Sequence, residues 1–373
     1  MATYQVTATK LNKRKSPVQD FSNKSNLAGT VQKGFQFQSQ GQITNSLGTW
    51  MQDQDGYYYW GGGLTMLAAD ASTPTPAPSS VITPPAPANF QGWMTSLNLP
   101  QIWQIATGQG VGVAVVDTGI VFNNSDLPYS QNKQYTYAPS VSLLDGNGHG
   151  TNCAGLIGAK NRNGNFIGVA PDCNLYICKI AEQKFFDNDT DVSRYVDVIN
   201  WCAKQDEIQI ISISWGNKIP DPTIIQNIQT AIDNAISQKK IVVCSIGDAS
   251  NLNDPSLRYP ACLQNTIAIG SIPVQDAVIP FINPFLQVST EGANILSYGI
   301  DFDSAHEAGT SQSNAIVAGI VALIIQKIKG AFTYKQILDT LTNASRQQRC
   351  TIGKDSATLS VLDGDLLLQF FKS

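Results

Sequence analysis

From residue 90 to the C-terminus, short and wholly apolar runs alternate with longer segments whose apolar residues recur every three or four positions. The first pattern is typical of strands buried on both faces, and the second of helices that bury one side. The order predicts an α/β fold with a doubly wound, mostly parallel sheet and helices on both of its faces. The predicted strands are Val111–Val116, Leu175–Ile180, Ile208–Ser214 and Ile241–Ile246, and the predicted helices are His149–Lys160, Val192–Lys204, Ile224–Gln238 and Ser313–Lys327.

The first 70 residues follow a different pattern, in which short alternating runs are separated by glycine and asparagine. Examples are Phe35–Gln38 and the aromatic run Tyr57–Trp60, and this spacing predicts a small all-β barrel. The proline-rich segment TPTPAPSSVITPPAP at residues 73–87 is typical of an extended spacer without a core of its own. We therefore divide the chain into a barrel domain at 1–70, a linker at 71–89 and an α/β domain at 90–373.

The segments LNKRKSPV, GTVQKGFQFQSQGQ and GTWMQDQDGYYYWGGGL resemble the bacterial Src-homology-3-like barrel over about residues 4–67. This resemblance implies a peptide or cell-wall ligand for the N-terminal domain. The alternative, in which the aromatic side chains only fill a small core, stays open at this point.

Composition excludes several classes of function. The chain has 24 basic and 28 acidic residues, a net charge of −4 and no run of like charge. Nucleic-acid binding and adhesion to an anionic membrane both need clustered Lys and Arg, so we expect neither. The longest apolar stretch, Ile316–Ile325, is too short to span a bilayer. The N-terminus MATYQVTATKLNKRK lacks the apolar core of a secretory signal, which predicts a cytoplasmic protein, or a secreted one if a signal has been removed.

Seven cysteines are present, an odd number without a C-x-x-C motif, and most of them lie in apolar segments. We expect buried free thiols in preference to a disulfide framework or a zinc site. Only two histidines occur, His149 and His306, so any histidine chemistry must use one of them.

Three segments each place one reactive side chain beside glycine at the end of an apolar element. They are GVGVAVVDTGI with Asp117, DGNGHGTNCAGLIGA with His149, and EAGTSQSNAIVAGIVALI with Ser311. Alone, the aspartate could cap a turn and the serine could cap a helix. Together they form the set that nucleophilic acyl transfer needs: a hydroxyl, an imidazole base and a carboxylate that orients the imidazole.

These three segments resemble the aspartate, histidine and serine segments of the subtilisin family of serine proteases, whose triad has the same chain order. The segments WQIATGQG, GVAPDCNLYICKI, ISISWG and YPAC also fit, so the resemblance runs from about Trp93 to the C-terminus. It implies a serine endopeptidase that acts on peptides or proteins and needs no cofactor for its chemistry. Ser311 would be the nucleophile, His149 the general base and then acid, and Asp117 the orienting carboxylate, whereas His306 lies in a polar stretch and is not expected to take part.

The resemblance also assigns two substrate-binding segments. Ser214, Trp215 and Gly216 would form an edge strand that pairs with the substrate backbone. Ser245, Ile246 and Gly247 would form the opposite wall of the pocket that receives the residue before the scissile bond.

Two departures from the family pattern bear on activity. Asp248 stands where the family offers an asparagine to the oxyanion, and an ionised aspartate would repel that charge. We expect Asp248 to be protonated when substrate is bound. Arg258 lies where the family lines the base of the specificity pocket with a small or neutral residue. If it points inward it would favour an acidic residue before the cut, and if the loop shifts it would face solvent.

A second class of function stays open. The chain could be a catalytically weak or silent protease-like binding protein, with Asp248 as the sign of lost activity and the barrel recruiting a ligand. Calcium sites are common in the family, but no compact aspartate-rich ligand loop is evident, so calcium is left unassigned and no metal-binding residue is predicted.

Overall fold

The computed structural model describes residues 2–7, 10–14, 27–39, 41–45, 48–53, 57–61, 64–69, 91–122, 124–161, 166–182, 192–219, 221–300 and 304–373. The chain divides into two compact units, residues 1–81 and 82–373. The second unit contains the three segments with reactive side chains.

The N-terminal unit consists of two antiparallel sheets that share one small core. The three-stranded sheet has the order β4-β1-β8 and the five-stranded sheet the order β3-β2-β7-β6-β5. Val6, Phe37, Met51 and Tyr59 fill the core between them. The all-β prediction is confirmed, while closure into a barrel and the Src-homology-3-like assignment stay predictions. The strands are β1 (Ala2–Val6), β2 (Lys10–Arg14), β3 (Leu27–Gln32), β4 (Gln36–Ser39), β5 (Gly41–Asn45), β6 (Gly48–Gln52), β7 (Tyr58–Trp60) and β8 (Leu64–Ala69).

A nine-stranded sheet forms the centre of the second unit, with the order β10-β11-β9-β12-β13-β14-β15-β19-β18. All neighbouring strands in it are parallel except the final antiparallel pair, β18 and β19. This confirms the predicted fold class. Its strands are β9 (Gly112–Asp117), β10 (Tyr135–Thr136), β11 (Asn174–Lys179), β12 (Ile210–Ile213), β13 (Ile241–Ser245), β14 (Thr266–Ser271), β15 (Leu286–Thr290), β18 (Ser345–Ile352) and β19 (Asp355–Leu362).

Helices cover both faces of this sheet, and a separate two-stranded antiparallel sheet lies beside them. The small sheet pairs β16 (Ile295–Tyr298) with β17 (Ser304–Glu307). The helices are α1 (Gly92–Ser96), α2 (Leu99–Ile102), α3 (His149–Gly158), α4 (Ser193–Ala203), α5 (Pro222–Ser237), α6 (Thr310–Ile328), α7 (Tyr334–Asn343) and α8 (Gly364–Lys372).

The central strands are mostly apolar because each face contributes to a different core. On β9, Val113 and Val115 pack into the core that contains α3 and α6, while Ala114 and Val116 pack into the core that contains α4 and α5. A strand with one exposed face would alternate apolar and polar residues instead. The sheet therefore separates two cores.

Helix α6 is buried from Thr310 to Ile325 and runs through the first of these cores. Within the described part of the chain it is the one helix that is long and apolar enough to cross a membrane by length and composition. Since most of it is enclosed by protein, its place in the core accounts for its apolar character.

The cysteine prediction is confirmed, because all seven cysteines are free and buried.

Candidate active site

Asp117 and His149 meet at the carboxyl edge of the central sheet. Asp117 is the last residue of β9 and His149 the first of α3. The imidazole Nδ1 lies 2.8 Å from Oδ1 and 3.0 Å from Oδ2 of the carboxylate, and both side chains are buried. Burial alone would lower the pKa of His149, but the charge of Asp117 and the hydrogen bond to it outweigh burial and raise that pKa well above its ordinary value.

Ser311 lies in the first turn of α6, after Gly309 and Thr310. Its hydroxyl donates to the carbonyl oxygen of Ser214 at 3.1 Å, and the Ser214 hydroxyl donates back to the Ser311 carbonyl at 3.3 Å. The thiol of Cys153, one turn after His149, forms hydrogen bonds to both His149 and Ser214. Ser214 and Cys153 therefore connect the serine to the buried pair of histidine and aspartate.

Helices α3 and α6 are also joined directly next to these residues. The amide Nε2 of Gln312 donates to Oδ1 of Asn152 at 3.2 Å. Asn152 is three residues after His149 and Gln312 directly follows Ser311, and both are buried. This contact joins the two helices next to the histidine and the serine.

Asp145 is a buried residue beside the candidate site that the sequence patterns did not single out. Its buried carboxylate accepts hydrogen bonds from the hydroxyl groups of Thr118 (2.9 Å) and Thr151 (2.7 Å). It also accepts backbone N–H groups of Asn147, Gly148 and Thr151 at 2.8–2.9 Å. The Asp145 side chain thus holds Thr118, which follows Asp117, together with the first turn of α3. Its position in the sequence, four residues before His149 in a glycine-rich loop, was the signal that could have identified it.

Asp248 lies beside the first turn of α6. Its Oδ1 accepts the backbone N–H of Thr310 at 2.8 Å. A Cβ added to Gly309 would lie 3.1 Å from its Oδ2. The carboxyl group therefore borders the backbone that leads into Ser311, where a developing oxyanion would lie.

The side chain of Arg258 lies between the two segments expected to wall the specificity pocket. A Cβ on Gly216 would meet Cβ of Arg258 at 3.1 Å, and a Cβ on Gly247 would meet its Cγ at 3.0 Å. The guanidinium carbon lies 4.8 Å from the ring centroid of Phe281. Burial lowers the pKa of Arg258 and the charge of Asp254 partly offsets this, yet arginine stays charged.

Ser214, Trp215 and Gly216 follow the end of β12 and are not themselves part of a strand. The next residue, Asn217, forms an isolated antiparallel bridge with Tyr259, with an N–H···O bond of 2.9 Å in each direction. On the other side, Ser245 ends β13, and the bend at Gly247 has a φ of +92°. Pairing of the 214–216 segment with substrate stays a prediction.

The remaining histidine, His306, is exposed on β17, with Nδ1 3.4 Å from the carbonyl oxygen of Asn294.

Residues 108–361 match the profile of the subtilase family, Peptidase_S8. The chain belongs to the subtilase family. The major intracellular serine protease of Bacillus subtilis (strain 168) is 30% identical to this subtilase over 238 residues, which are 61% of this chain and 72% of that protein. Thermitase of Thermoactinomyces vulgaris is 28% identical over 247 residues, covering 65% of this chain and 85% of thermitase.

The fold of this subtilase is also that of solved proteases. MycP1, a serine protease described as an essential component of the type VII (ESX-1) secretion system, aligns with a TM-score of 0.63 at 21% identity. The alignment covers 77% of this chain and 91% of MycP1. Family membership makes this subtilase a serine endopeptidase, and its substrates are peptides or proteins.

Among the described residues of this subtilase, one group of acidic, histidine and cysteine side chains lies close enough to share a metal ion. It consists of Asp117, His149 and Cys153, so it coincides with the candidate active site. Calcium takes six to eight oxygen ligands, which this group does not offer. Calcium therefore stays unassigned.

Proposed function

We propose that this serine endopeptidase cleaves peptide bonds after acidic residues through an acyl-enzyme on Ser311. His149 takes the serine proton as the hydroxyl attacks the carbonyl carbon, and then delivers it to the leaving amine. Asp117 holds the imidazole tautomer and stabilises its protonated form. Water then attacks the ester by the same route in reverse, with His149 again as the base.

The oxyanion is proposed to form beside Asp248 and the N-terminal turn of α6. The Thr310 N–H already donates to Oδ1 of Asp248, so a proton on this carboxyl group would sit on Oδ2. The protonated group could then donate a hydrogen bond to the oxyanion, whereas the ionised group would repel it. We expect activity to fall as pH rises and Asp248 ionises, and Asp248→Asn to be faster. A rate that stays flat from mildly acidic to alkaline pH, once titration of His149 is allowed for, would exclude this role.

The position of Arg258 between Gly216 and Gly247 is the observation that supports the acidic preference. A Cβ at either glycine would come within 3.0–3.1 Å of the arginine stem, so the two glycines leave room for it. A glutamate or aspartate entering from the cleft would meet a partly buried guanidinium, where charge-assisted bonds are worth about 1.5–3 kcal/mol. That corresponds to roughly tenfold to a hundredfold in kcat/KM.

The test is a panel of fluorogenic peptides that differ only before the scissile bond, with Glu, Gln, Asp, Asn, Leu or Lys there. We expect kcat/KM for Glu to exceed that for Gln by about tenfold or more. Arg258→Ala should remove the difference, and Arg349→Ala, on the exposed strand β18, should keep it. Equal rates for Glu and Gln in the wild-type enzyme would refute the preference.

A protease-like binding protein without catalysis is the second candidate, and Asp248 is the feature that favours it. Degradation of an unfolded protein such as casein by the wild type and by Ser311→Ala distinguishes the two functions. A protease degrades casein, and its Ser311→Ala variant does not. Equal, background-level degradation by both would favour the binding protein.

We further propose that the N-terminal unit binds a peptide or cell-wall ligand. A separate proposal is that the protein acts in the cytoplasm. Phe35 is 40% exposed and Leu67 45% exposed, and the Lys13 ammonium lies 4.0 Å from the Tyr57 ring centroid. Such exposed apolar surface supports a binding role. Sedimentation of the full-length Ser311→Ala protein with purified cell walls, and its titration with proline-rich peptide, would test both ligands. Binding to neither would refute the proposal, and fractionation of cells would locate the protein.

A further inference from the structure

The small sheet formed by β16 and β17 lies along helix α3. The Ser297 hydroxyl donates to the carbonyl oxygen of Asn152 at 2.8 Å. A Cβ on Gly155 would collide with this hydroxyl at 2.3 Å, and one on Gly148 would meet the backbone nitrogen of Ile300 at 3.3 Å. The small sheet therefore borders the catalytic cluster from the side of His149.

This sheet brings a carboxylate next to the nucleophile. Glu307, the last residue of β17, accepts a hydrogen bond from Nε2 of Gln312 at 3.2 Å. The same Nε2 donates to Asn152 on α3. Gln312 is almost completely buried and directly follows Ser311, whereas Glu307 is half-buried. The charge of Glu307 is thus held by the residue adjacent to the nucleophile.

The position of the general acid, His149, indicates on which side of the scissile bond Glu307 and Gln312 lie. His149 must reach the leaving amine to protonate it, so the leaving peptide lies on the side of His149 and α3. Gln312 is bonded to Asn152 on α3 and to Glu307, so these three residues border α3 and with it the expected place of the leaving peptide. Arg258, by contrast, lies between Gly216 and Gly247, where the pocket for the acyl side is proposed.

We propose that Glu307 selects Lys or Arg as the first residue of the leaving peptide. This inference rests on the proposed function, because it assigns the second half of the same cleft. An ammonium or guanidinium next to a half-buried carboxylate gains a modest attraction, worth about fivefold to tenfold over a neutral side chain of the same shape. The enzyme would then prefer an acidic residue before the cut and a basic residue after it.

Acyl transfer tests the leaving side independently of Arg258. A peptide ester ending in Glu acylates Ser311, and an added amino-acid amide then competes with water for the acyl-enzyme. The amine nitrogen forms the new peptide bond, the serine ester bond breaks, and His149 moves the amine proton to Ser311 Oγ. Argininamide and citrullinamide have the same shape and differ in charge, so their ratio of peptide product measures charge selection alone.

We expect argininamide to be used about fivefold to tenfold more efficiently than citrullinamide at low salt, with a smaller ratio at high salt. Glu307→Gln keeps an acceptor for Gln312 and should bring the ratio close to one. Glu207→Gln is the matched control, because Glu207 is an exposed residue paired with Lys133 outside the catalytic cluster, and it should keep the wild-type ratio.

Two results would overturn the proposal: a ratio near one in the wild-type enzyme, or an unchanged ratio in Glu307→Gln. Both leave the proposed protease function intact, because an acyl-enzyme has formed in each case. If no acyl-enzyme forms from any ester, the protease function fails and the selection by Glu307 fails with it.

Discussion

Replacing Asp145 by asparagine tests whether the loop before α3 positions His149. The wild-type carboxylate accepts five hydrogen bonds, three on Oδ1 and two on Oδ2. An asparagine has one acceptor oxygen, and whichever way its amide turns, its NH₂ group faces backbone N–H groups. If the NH₂ replaces Oδ2, the Thr151 N–H loses its acceptor inside the protein.

The magnitude follows from these contacts. One buried N–H without an acceptor costs about 1–3 kcal/mol, and the remaining bonds lose the strength that the charge adds. We expect Asp145→Asn to lower the free energy of unfolding by about 2–4 kcal/mol. A shift of His149 by about 1 Å relative to Ser311 is expected to lower kcat by about a hundredfold.

Stability is best measured by urea unfolding in a Ser311→Ala background, which prevents self-digestion, and kcat in the active background. Asp339→Asn, an exposed residue on α7, is the matched control and should change neither quantity. An Asp145→Asn protein with wild-type stability and a kcat within about twofold of wild type would refute the positioning role.

The pH dependence gives an independent check on Asp145. Burial alone would raise its pKa, but hydrogen bonds from Thr151, Gly148 and Asn147 outweigh burial and lower it below the ordinary value of 3.8. A carboxyl group whose pKa is lower in the folded protein stabilises the fold at pH values above its pKa in the unfolded chain. This stabilisation is lost as the pH falls through the pKa of the group in the folded protein. The stability difference between wild type and Asp145→Asn should therefore shrink below pH 3.8.

Two further predictions concern His149 and the packing of β9. The raised pKa of His149 means that the neutral base forms only at higher pH. The acid limb of the pH profile of kcat/KM should therefore have its midpoint above pH 6.5, and a midpoint at or below 6.5 would contradict this. Gly112→Ala would place a Cβ 1.9 Å from the carbonyl oxygen of Glu207, so it should destabilise the fold by about 3 kcal/mol in urea unfolding. Gly92→Ala, which meets nothing within 4 Å, is its control, and equal stability of the two variants would argue against the predicted collision.

The fold was predictable where burial on both faces makes a strand mostly apolar. Strands β9, β11, β12 and β13 are of this kind, and their positions follow from the apolar runs. Strand β14 was not identified, because Thr266, Gly270 and Ser271 dilute its apolar signal. Strand β18 was missed because its outward residues are polar and exposed at the sheet edge.

The candidate site was predictable as far as its reactive groups are concerned. Asp117, His149 and Ser311 are visible because each combines a distinctive residue with glycine and an apolar element. Asp145 looks like an ordinary turn residue, and only the fold brings Thr118 to it. The orientation of Arg258 was left open by the sequence, since it depends on Gly216 and Gly247, which belong to separate connections.

The proposed mechanism requires Ser311 to be a nucleophile activated by His149 and Asp117. Its most direct test is reaction of the full-length protein with a fluorophosphonate, followed by peptide mapping of the modified residue. We expect modification at Ser311, with labelling lost in Ser311→Ala and slowed by orders of magnitude in His149→Ala. Absence of labelling in the wild-type protein, or labelling at another serine that persists in Ser311→Ala, would contradict it.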